Sequence, residues 1–219
     1  MGGDAVSVTT PDLRNALGVF GGTFDPIHLA HLAVAESARD AAGLAEVWFI
    51  PAGSPPHKRN VAISPAEARL AMVEAAIAGN PAFRASRIEL DRPGPSYTVD
   101  TLRELRAGSD RELALIVSAE AFLELPTWHD PAGVLAAAAL IVAPRDGYPE
   151  ASPAFLDAHL PGVAARVMFL DGPRLRLSAS ELRARAAAGR SLRYLVPDAV
   201  AAFIGDHALY QVPRRIQPQ

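Results

Sequence analysis

The chain contains no cysteine, only one lysine and few aromatic residues, and each shortage narrows its chemistry. Without cysteine there can be no disulfides, thiolate metal sites or cysteine nucleophile. Lys58 is the single lysine among 21 basic residues, so arginine carries the rest of the positive charge. The longest apolar run, residues 132–143, includes a glycine and is shorter than the roughly 20 residues that a helix needs to span a bilayer.

Charge and length bound the class of protein further. The net charge of −3 argues against a general nucleic-acid-binding surface. A chain of 219 residues, half of them apolar, supports one α/β domain or one domain with a small appendage. We expect residues 1–16 to be a flexible N-terminal extension and residues 17–219 to form a single domain, with a C-terminal helical part from about 175. No secretory signal is visible, so a cytoplasmic location is the default expectation, and the sequence leaves a homo-oligomer open.

Strand-like and helix-like segments alternate along the chain. Short apolar runs predict strands at Leu17–Phe20, Val47–Ile50, Leu113–Val117, Leu140–Ala143 and Val167–Leu170, with a further candidate at Arg87–Leu90. Helices are predicted at Leu29–Ala42, Pro65–Ala78, Thr98–Arg106 and Ser180–Ala188. This order predicts a Rossmann-like, doubly wound parallel sheet in an α/β fold, with a small C-terminal helical subdomain. Residues 145–161 are expected to form a surface excursion between two strands.

The segment Gly21–His31, with the sequence GGTFDPIHLAH, follows the first predicted strand and is typical of a phosphate site. Glycines allow the backbone to approach a ligand closely, and a helix N-terminus presents amide N–H groups to an anion. We interpret Asp25 as the helix N-cap and Pro26 as its first residue. His28 and His31 then lie one turn apart on one helix face. Such histidine pairs are often surface or core residues, but the preceding glycines favour a functional role.

Other loops follow the predicted strands and should meet at the same edge of the sheet. The second strand leads into the sequence PPHK, in which His57 and Lys58 present donors and positive charge. Ser118 and Glu120 follow the third strand, and Arg145 follows the fourth. Two more helix starts, at residues 95–102 and 177–183, carry hydroxyl groups that suit N-capping.

Together these segments resemble the nucleotidyltransferases that carry an HxGH-type motif. The joint presence of GGTFDPIHxxH, PPHK, SYTxDTL, LPTWH and YLVPDAV is similar to the nicotinate-nucleotide adenylyltransferase branch, and the resemblance runs from about Gly18 to Tyr210. Five positions depart from the pattern of that family, and two of them, Ala179 and Ser180, replace a serine and a threonine in the segment 177–183. Ala30 and Ser118 replace glycines, and Glu120 replaces an aspartate whose carboxylate is one methylene shorter.

The resemblance implies a reaction and a set of site residues. The reaction is transfer of the adenylyl group of ATP to nicotinate mononucleotide, which gives nicotinate adenine dinucleotide and pyrophosphate. The implied catalytic residues are His28, His31, Lys58 and Arg183. The implied ATP-binding residues are Gly21, Gly22, Thr23, Phe24, Ser118, Glu120, Ser178 and Ser180. The implied nicotinate-nucleotide-binding residues are Asp25, His57, Tyr97, Thr98, Trp128 and His129. Mg²⁺ bound through ATP is the implied cofactor, without metal ligands from the chain.

Two alternatives stay open at this point. The chain could be another enzyme of the same superfamily, such as a phosphopantetheine adenylyltransferase, although LPTWH and SYTVDTL weigh against that. It could also be a non-catalytic nucleotide-binding or sensor protein, an alternative that the changes at Ser118 and Glu120 keep open. Turnover measured beside ATP binding separates these alternatives.

Overall fold

The fold is built on one parallel sheet. The computed structural model describes residues 8–9, 11–55, 62–149, 151–161 and 165–211. In these ranges the strands are β1 (Val8–Thr9), β2 (Leu17–Gly22), β3 (Glu46–Pro51), β4 (Phe83–Ala85), β5 (Leu113–Ser118), β6 (Ala139–Ala143) and β7 (Ala165–Phe169). Their order across the sheet is β1-β7-β6-β5-β2-β3-β4, and the pairings are parallel. The chain reverses its direction across the sheet between β2 and β5, which makes this the switch point where ligands bind in such sheets.

Helices connect the strands and cover the sheet. They are α1 (Leu29–Ala42), α2 (Ala66–Ile77), α3 (Ile88–Asp91), α4 (Thr98–Ala107), α5 (Ala119–Glu124), α6 (Pro131–Ala137), α7 (Pro153–His159), α8 (Ala179–Ala187) and α9 (Asp198–Asp206). One turn of 3₁₀ helix, Leu125–Thr127, follows α5. Each of the four helices predicted from the sequence is present, with ends that differ by at most one residue. In the described part of the chain no helix is long and apolar enough to cross a membrane.

Buried side chains form a core on each face of the sheet. Phe20 and Phe49 belong to one core, together with residues of α1 and α2. Val19 and Leu115 belong to the other, together with residues of α4 and α6. Because both faces are covered, the central strands are apolar along nearly their whole length, as parallel strands usually are. The predicted doubly wound parallel sheet is confirmed.

The C-terminal helices extend the first of these cores. Leu182 of α8 and Val200 and Ile204 of α9 are buried in the same cluster as Met72 of α2. The segment expected to be a helical subdomain contains the helices α8 and α9. Their buried side chains pack in the core of the sheet domain.

The strand predicted at Arg87–Leu90 is wrong. The strand at this edge is β4, Phe83–Ala85, and the chain then turns into α3. The backbone N–H groups of Leu90 and Asp91 donate to the carbonyl of Arg87 over 2.7 and 2.9 Å, which closes a helical turn. Four alternating polar and apolar residues fit one turn of helix as well as a short strand, so the pattern could not distinguish them.

Two segments expected to lie outside the core contribute to it. Within residues 1–16, β1 pairs in parallel with β7, and Leu13 and Ala16 are buried, so the described part of this segment packs on the domain. The excursion at residues 145–161 contains α7, which buries Leu156. Both contributions depend on contacts with distant parts of the chain, which local composition does not reveal.

Candidate active site

A cavity of about 350 Å³ opens at the switch point between β2 and β5. Its walls come from the ends of β2, β3, β5 and β6 and from the starts of α1 and α4. Eleven residues predicted for the site line it: Gly21, Gly22, Thr23, Phe24, His28, His31, Tyr97, Thr98, Ser118, Trp128 and His129. The sheet topology therefore brings together segments that are far apart in sequence.

The two histidines of the first motif stack against each other. His28 is the N-cap of α1, and its ring lies 3.6 Å from that of His31 between centroids, at an interplanar angle of 18°. The backbone N–H of His28 donates to Nδ1 of His31 over 3.2 Å. Because Nδ1 of His31 accepts this bond, the neutral ring carries its proton on Nε2.

His28 is almost fully buried and is electrostatically unusual. Burial lowers its pKa to about 4, and the positive charge of Arg145 adds to the effect. The imidazole is therefore neutral at pH 7. Its Nδ1 atom is buried and has no hydrogen-bond partner within the described residues. A buried polar atom without a protein partner, on the wall of a cavity, is suited to a polar ligand atom.

Residues 21–25, which we call the glycine turn, leave backbone uncovered by side chains on the cavity wall. A Cβ atom at Gly21 would have no atom within 4 Å, so a side chain there would extend into open space. A Cβ atom at Gly22 would lie 2.9 Å from the ring of Phe24, so this glycine allows the ring to pack. Phe24 is buried with φ of +49°, a left-handed conformation that is strained for a bulky residue.

Asp25 is not the N-cap of α1, because the helix begins at Leu29. The carboxylate of Asp25 is buried and accepts hydrogen bonds from the backbone N–H of Ser64 over 3.2 Å and from the Tyr210 hydroxyl over 2.7 Å. Arg183 donates to the backbone carbonyl of Asp25 over 2.7 Å. Neither Asp25 nor Arg183 lines the cavity, so the structure places both behind its wall.

Arg69 is a buried residue that the sequence interpretation missed. Its guanidinium donates to the carbonyl oxygens of Thr23 over 2.9 Å, Ser64 over 3.0 Å and Gly53 over 3.5 Å. These bonds join the glycine turn to the loop after β3. Burial lowers the pKa of Arg69, while the nearby carboxylate of Asp25 opposes that shift. The only sequence signal was an arginine among the apolar residues of a predicted helix.

The start of α4 forms another wall. The N-cap of α4 is Tyr97 and makes no side-chain capping bond, so the hydroxyl groups of residues 95–102 do not cap this helix as expected. The ring of Tyr97 stacks on that of His129 at 4.3 Å. Without a side-chain cap, the first amide N–H groups of α4 can bind a ligand.

A buried carboxyl group supports this helix start. The Thr101 hydroxyl donates to Glu89 over 2.7 Å and accepts from Arg92 over 2.7 Å. The backbone N–H of Ser54 donates to the Ser96 hydroxyl over 3.1 Å, which connects the loop after β3 to the same region. Burial raises the pKa of Glu89. This network was not predicted, because its members come from three separate segments.

Other predicted residues have partners within the protein, and apart from Ser118 they do not line the cavity. Ser118 caps α5 by accepting from the N–H of Ala121 over 3.2 Å, although it also lines the cavity. Glu120 is paired with Arg145. Ser178 and Ser180 are hydrogen-bonded to each other over 2.7 Å, and neither reaches the wall. His57 and Lys58 lie outside the described residues.

Comparisons with known proteins support the family resemblance. A model of the cytidylyltransferase-like family matches residues 19–185. A probable nicotinate-nucleotide adenylyltransferase of Thermomicrobium roseum is 43% identical over 203 residues, covering 92% of this chain and 94% of that protein. A protein of the same name from Trichlorobacter lovleyi is 47% identical over 212 residues, covering 89% of this chain and 99% of its own.

The chain belongs to the nicotinate-nucleotide adenylyltransferases of the cytidylyltransferase-like family. The fold agrees with this assignment. The nicotinic acid mononucleotide adenylyltransferase of Plasmodium falciparum, solved in complex with NaAD, superposes with a TM-score of 0.74 at 16% identity, over 89% of this chain and 96% of that one. The family predicted from the sequence is confirmed.

As a member of this adenylyltransferase family, the chain holds its cavity between two kinds of wall. One wall carries the stacked imidazoles and the exposed backbone of the β2–α1 segment. The other carries the aromatic rings of Tyr97, Trp128 and His129 beside the uncapped start of α4. In the described residues no cluster of three or more His, Cys, Asp or Glu side chains could hold a metal ion.

Proposed function

We propose that this protein transfers the adenylyl group of ATP to nicotinate mononucleotide, giving nicotinate adenine dinucleotide and pyrophosphate. The observation that carries the proposal is the stacked pair of histidines at the start of α1, in the same cavity as the glycine turn. In the reaction, a phosphate oxygen of the mononucleotide attacks the α-phosphorus of ATP, and the bond from that phosphorus to the leaving pyrophosphate breaks. No covalent enzyme intermediate is needed.

The histidines act as hydrogen-bond donors in this scheme. Negative charge builds on the phosphate oxygens as pyrophosphate leaves, and positioned donors stabilise that charge. Neutral His31 has its proton on Nε2, because Nδ1 accepts from the backbone. His28, whose pKa is lowered to about 4 by burial, also acts as a neutral donor at pH 7. Neither ring has to transfer a proton.

Backbone and basic groups complete the phosphate site. We propose that the backbone of the glycine turn, from Gly21 to Phe24, contacts the phosphates of ATP. Ser118 and Glu120 are proposed to lie near its adenosine. Ser178 and Ser180 are proposed to contact ATP near the start of α8. Lys58 is proposed to neutralise phosphate charge, with His57 in a supporting role near it. For Arg183 the bond to the carbonyl of Asp25 supports an indirect role, in which both residues hold the glycine turn.

The aromatic wall suits the pyridine ring of the acceptor. Trp128 and the stacked pair of Tyr97 and His129 offer flat surfaces to an aromatic ring. The open amides at the start of α4, near Thr98, match a carboxylate better than an amide group. A nicotinamide NH₂ would face donors there, at a cost of about 1–3 kcal/mol.

Mg²⁺ is proposed as an ion that enters with ATP. Such an ion would be held mainly by phosphate oxygens and water. When bound, it supplies charge neutralisation on the polyphosphate. A cytoplasmic location is part of the same proposal, and cell fractionation tests it.

One assay tests the proposed function. The purified protein is incubated with ATP, Mg²⁺ and nicotinate mononucleotide, and dinucleotide and pyrophosphate are measured. His28→Ala and His31→Ala should each lower kcat by about 100-fold, because each removes a transition-state donor. His159→Ala is the control, since this exposed histidine stacks on Phe155 of α7 outside the cavity.

The outcomes separate the remaining functions. ATP binding by calorimetry without pyrophosphate release would favour the sensor alternative. Activity on phosphopantetheine in place of the mononucleotide would favour the other adenylyltransferase. Equal kcat/KM for nicotinate and nicotinamide mononucleotides would refute the proposed acid preference.

A further inference from the structure

Arg145 is a basic side chain on the cavity wall for which the proposed reaction has no role. It follows β6 at the edge of the sheet where the site lies. Among the described residues that line the cavity, it is the one arginine or lysine. Its charge also contributes to the low pKa of His28, so it lies close to the histidine pair.

Arg145 is held by a partner from another loop. Its Nη1 atom lies 3.0 Å from Oε2 of Glu120, at the start of α5. The Tyr148 hydroxyl donates to the other carboxylate oxygen of Glu120. The guanidinium also lies over the Tyr148 ring, 5.6 Å from its centroid. Both oxygens of Glu120 are therefore occupied before a nucleotide binds.

The local sequence builds this arrangement. The N–H of Tyr148 donates to the carbonyl of Arg145 over 3.3 Å, which closes a four-residue turn. Gly147 occupies the third position with φ of +88°, a conformation that other residues adopt only with strain. The turn therefore brings the guanidinium of Arg145 and the ring of Tyr148 to the same side of Glu120.

We propose that Arg145 binds a phosphate group of the nucleotide substrates. Its guanidinium leaves Glu120 and pairs with the phosphate, and the carboxylate of Glu120 then accepts hydrogen bonds from the ribose hydroxyls. In naming a nucleotide as the ligand, this inference rests on the proposed function. An ion pair between partly exposed groups contributes little stability, so the exchange costs little. A guanidinium binds phosphate through parallel charge-assisted hydrogen bonds, which are stronger.

The exchange makes two recognition events depend on each other. A ligand with both ribose and phosphate gives new partners to Glu120 and to Arg145 together. A ligand with only one of these groups breaks the ion pair and leaves one partner without a replacement. Because the ion pair is worth little, the pair favours nucleotides over nucleosides and over free polyphosphate by only a few-fold.

Calorimetric titration with separate parts of the ligand tests this inference. The probes are inorganic tripolyphosphate, adenosine, ATP and nicotinate mononucleotide, each titrated into the full chain. Arg145→Met should weaken tripolyphosphate binding by about tenfold, and Arg145→Lys should restore part of it. Glu120→Gln should instead tighten tripolyphosphate binding by about threefold or more, because the guanidinium is released. If Arg145→Met weakens the binding of ATP more than that of nicotinate mononucleotide, Arg145 binds a phosphate of ATP, and the opposite result assigns it to the mononucleotide.

Matched controls come from the opposite end of the strands. Arg166 and Glu112 form a similar pair, 3.1 Å apart, and the Arg166 side chain is 36% exposed against 41% for Arg145. Arg166→Met and Glu112→Gln should leave every titration unchanged. Circular dichroism confirms that each variant is folded.

The inference is overturned if Arg145→Met binds tripolyphosphate as tightly as the unsubstituted protein. It is also overturned if Glu120→Gln fails to bind that probe more tightly. These titrations need no turnover, so they are independent of the assay of dinucleotide synthesis. Failure of that assay with the expected titrations would refute the proposed acceptor and leave the exchange supported.

Discussion

The burial of His28 should make the stability of the protein fall steeply in mild acid. The unfolded chain binds a proton at this histidine near pH 6.5, whereas burial lowers the pKa in the folded protein to about 4. Because the folded pKa is the lower one, the contribution is fully present above pH 6.5 and is lost as the pH falls towards 4. At 1.4 kcal/mol per pH unit, the loss at pH 4.5 is about 2.5 kcal/mol.

Urea denaturation between pH 7.5 and pH 4.5 measures this effect, for the unsubstituted protein and for His28→Gln. Glutamine does not titrate, so the free energy of unfolding of the variant should fall by about 2.5 kcal/mol less over this range. His207→Gln, which changes an exposed histidine on the last turn after α9, is the control and should behave like the unsubstituted protein. If the free energy of unfolding falls equally with pH in the unsubstituted protein and in His28→Gln, the reasoning is refuted.

Two further predictions concern the glycine turn. Tyr210→Phe removes a hydrogen bond to the buried carboxylate of Asp25, which keeps its bond from Ser64, so we expect a loss of about 1–2 kcal/mol in thermal denaturation and a reduced kcat/KM. An unchanged melting temperature would show that the hydroxyl does not support the turn. Gly21→Ala should raise the KM for ATP by about tenfold with little change in stability, because its methyl group would enter open space on the cavity wall. Gly79→Ala is the control, since its Cβ also meets nothing within 4 Å but lies outside the cavity, and an equal KM in both variants would contradict a ligand at Gly21.

Local patterns predicted the parts of the molecule that are themselves local. The strand, glycine turn and helix of the first motif are continuous in sequence, and each has a strong signal in residue type. The parallel order of the strands alone predicted that the loops after them meet at one edge of the sheet. These two inferences placed His28, His31 and Ser118 at one site, and all three line the cavity.

Contacts between residues that are far apart in the chain could not be predicted from the sequence. Asp25 has the residue type of an N-cap, but its carboxylate is bound by Ser64 and by Tyr210, 185 residues away. Arg183 looked like a phosphate ligand beside a helix start, and the structure pairs it with the Asp25 carbonyl. Arg69 carried no motif at all, since its role comes from three carbonyl oxygens in separate loops.

The bond between Tyr210 and Asp25 also orders events during synthesis. The strand and turn that carry Asp25 leave the ribosome early, but their last hydrogen-bond donor is added 185 residues later. Domains fold as units as the chain emerges, with the N-terminal portion first. The nascent protein can therefore form its sheet before the loop that meets the nucleotide has its final support. A nascent chain that has not yet reached Tyr210 keeps the bond from Ser64 to the Asp25 carboxylate and lacks the second one.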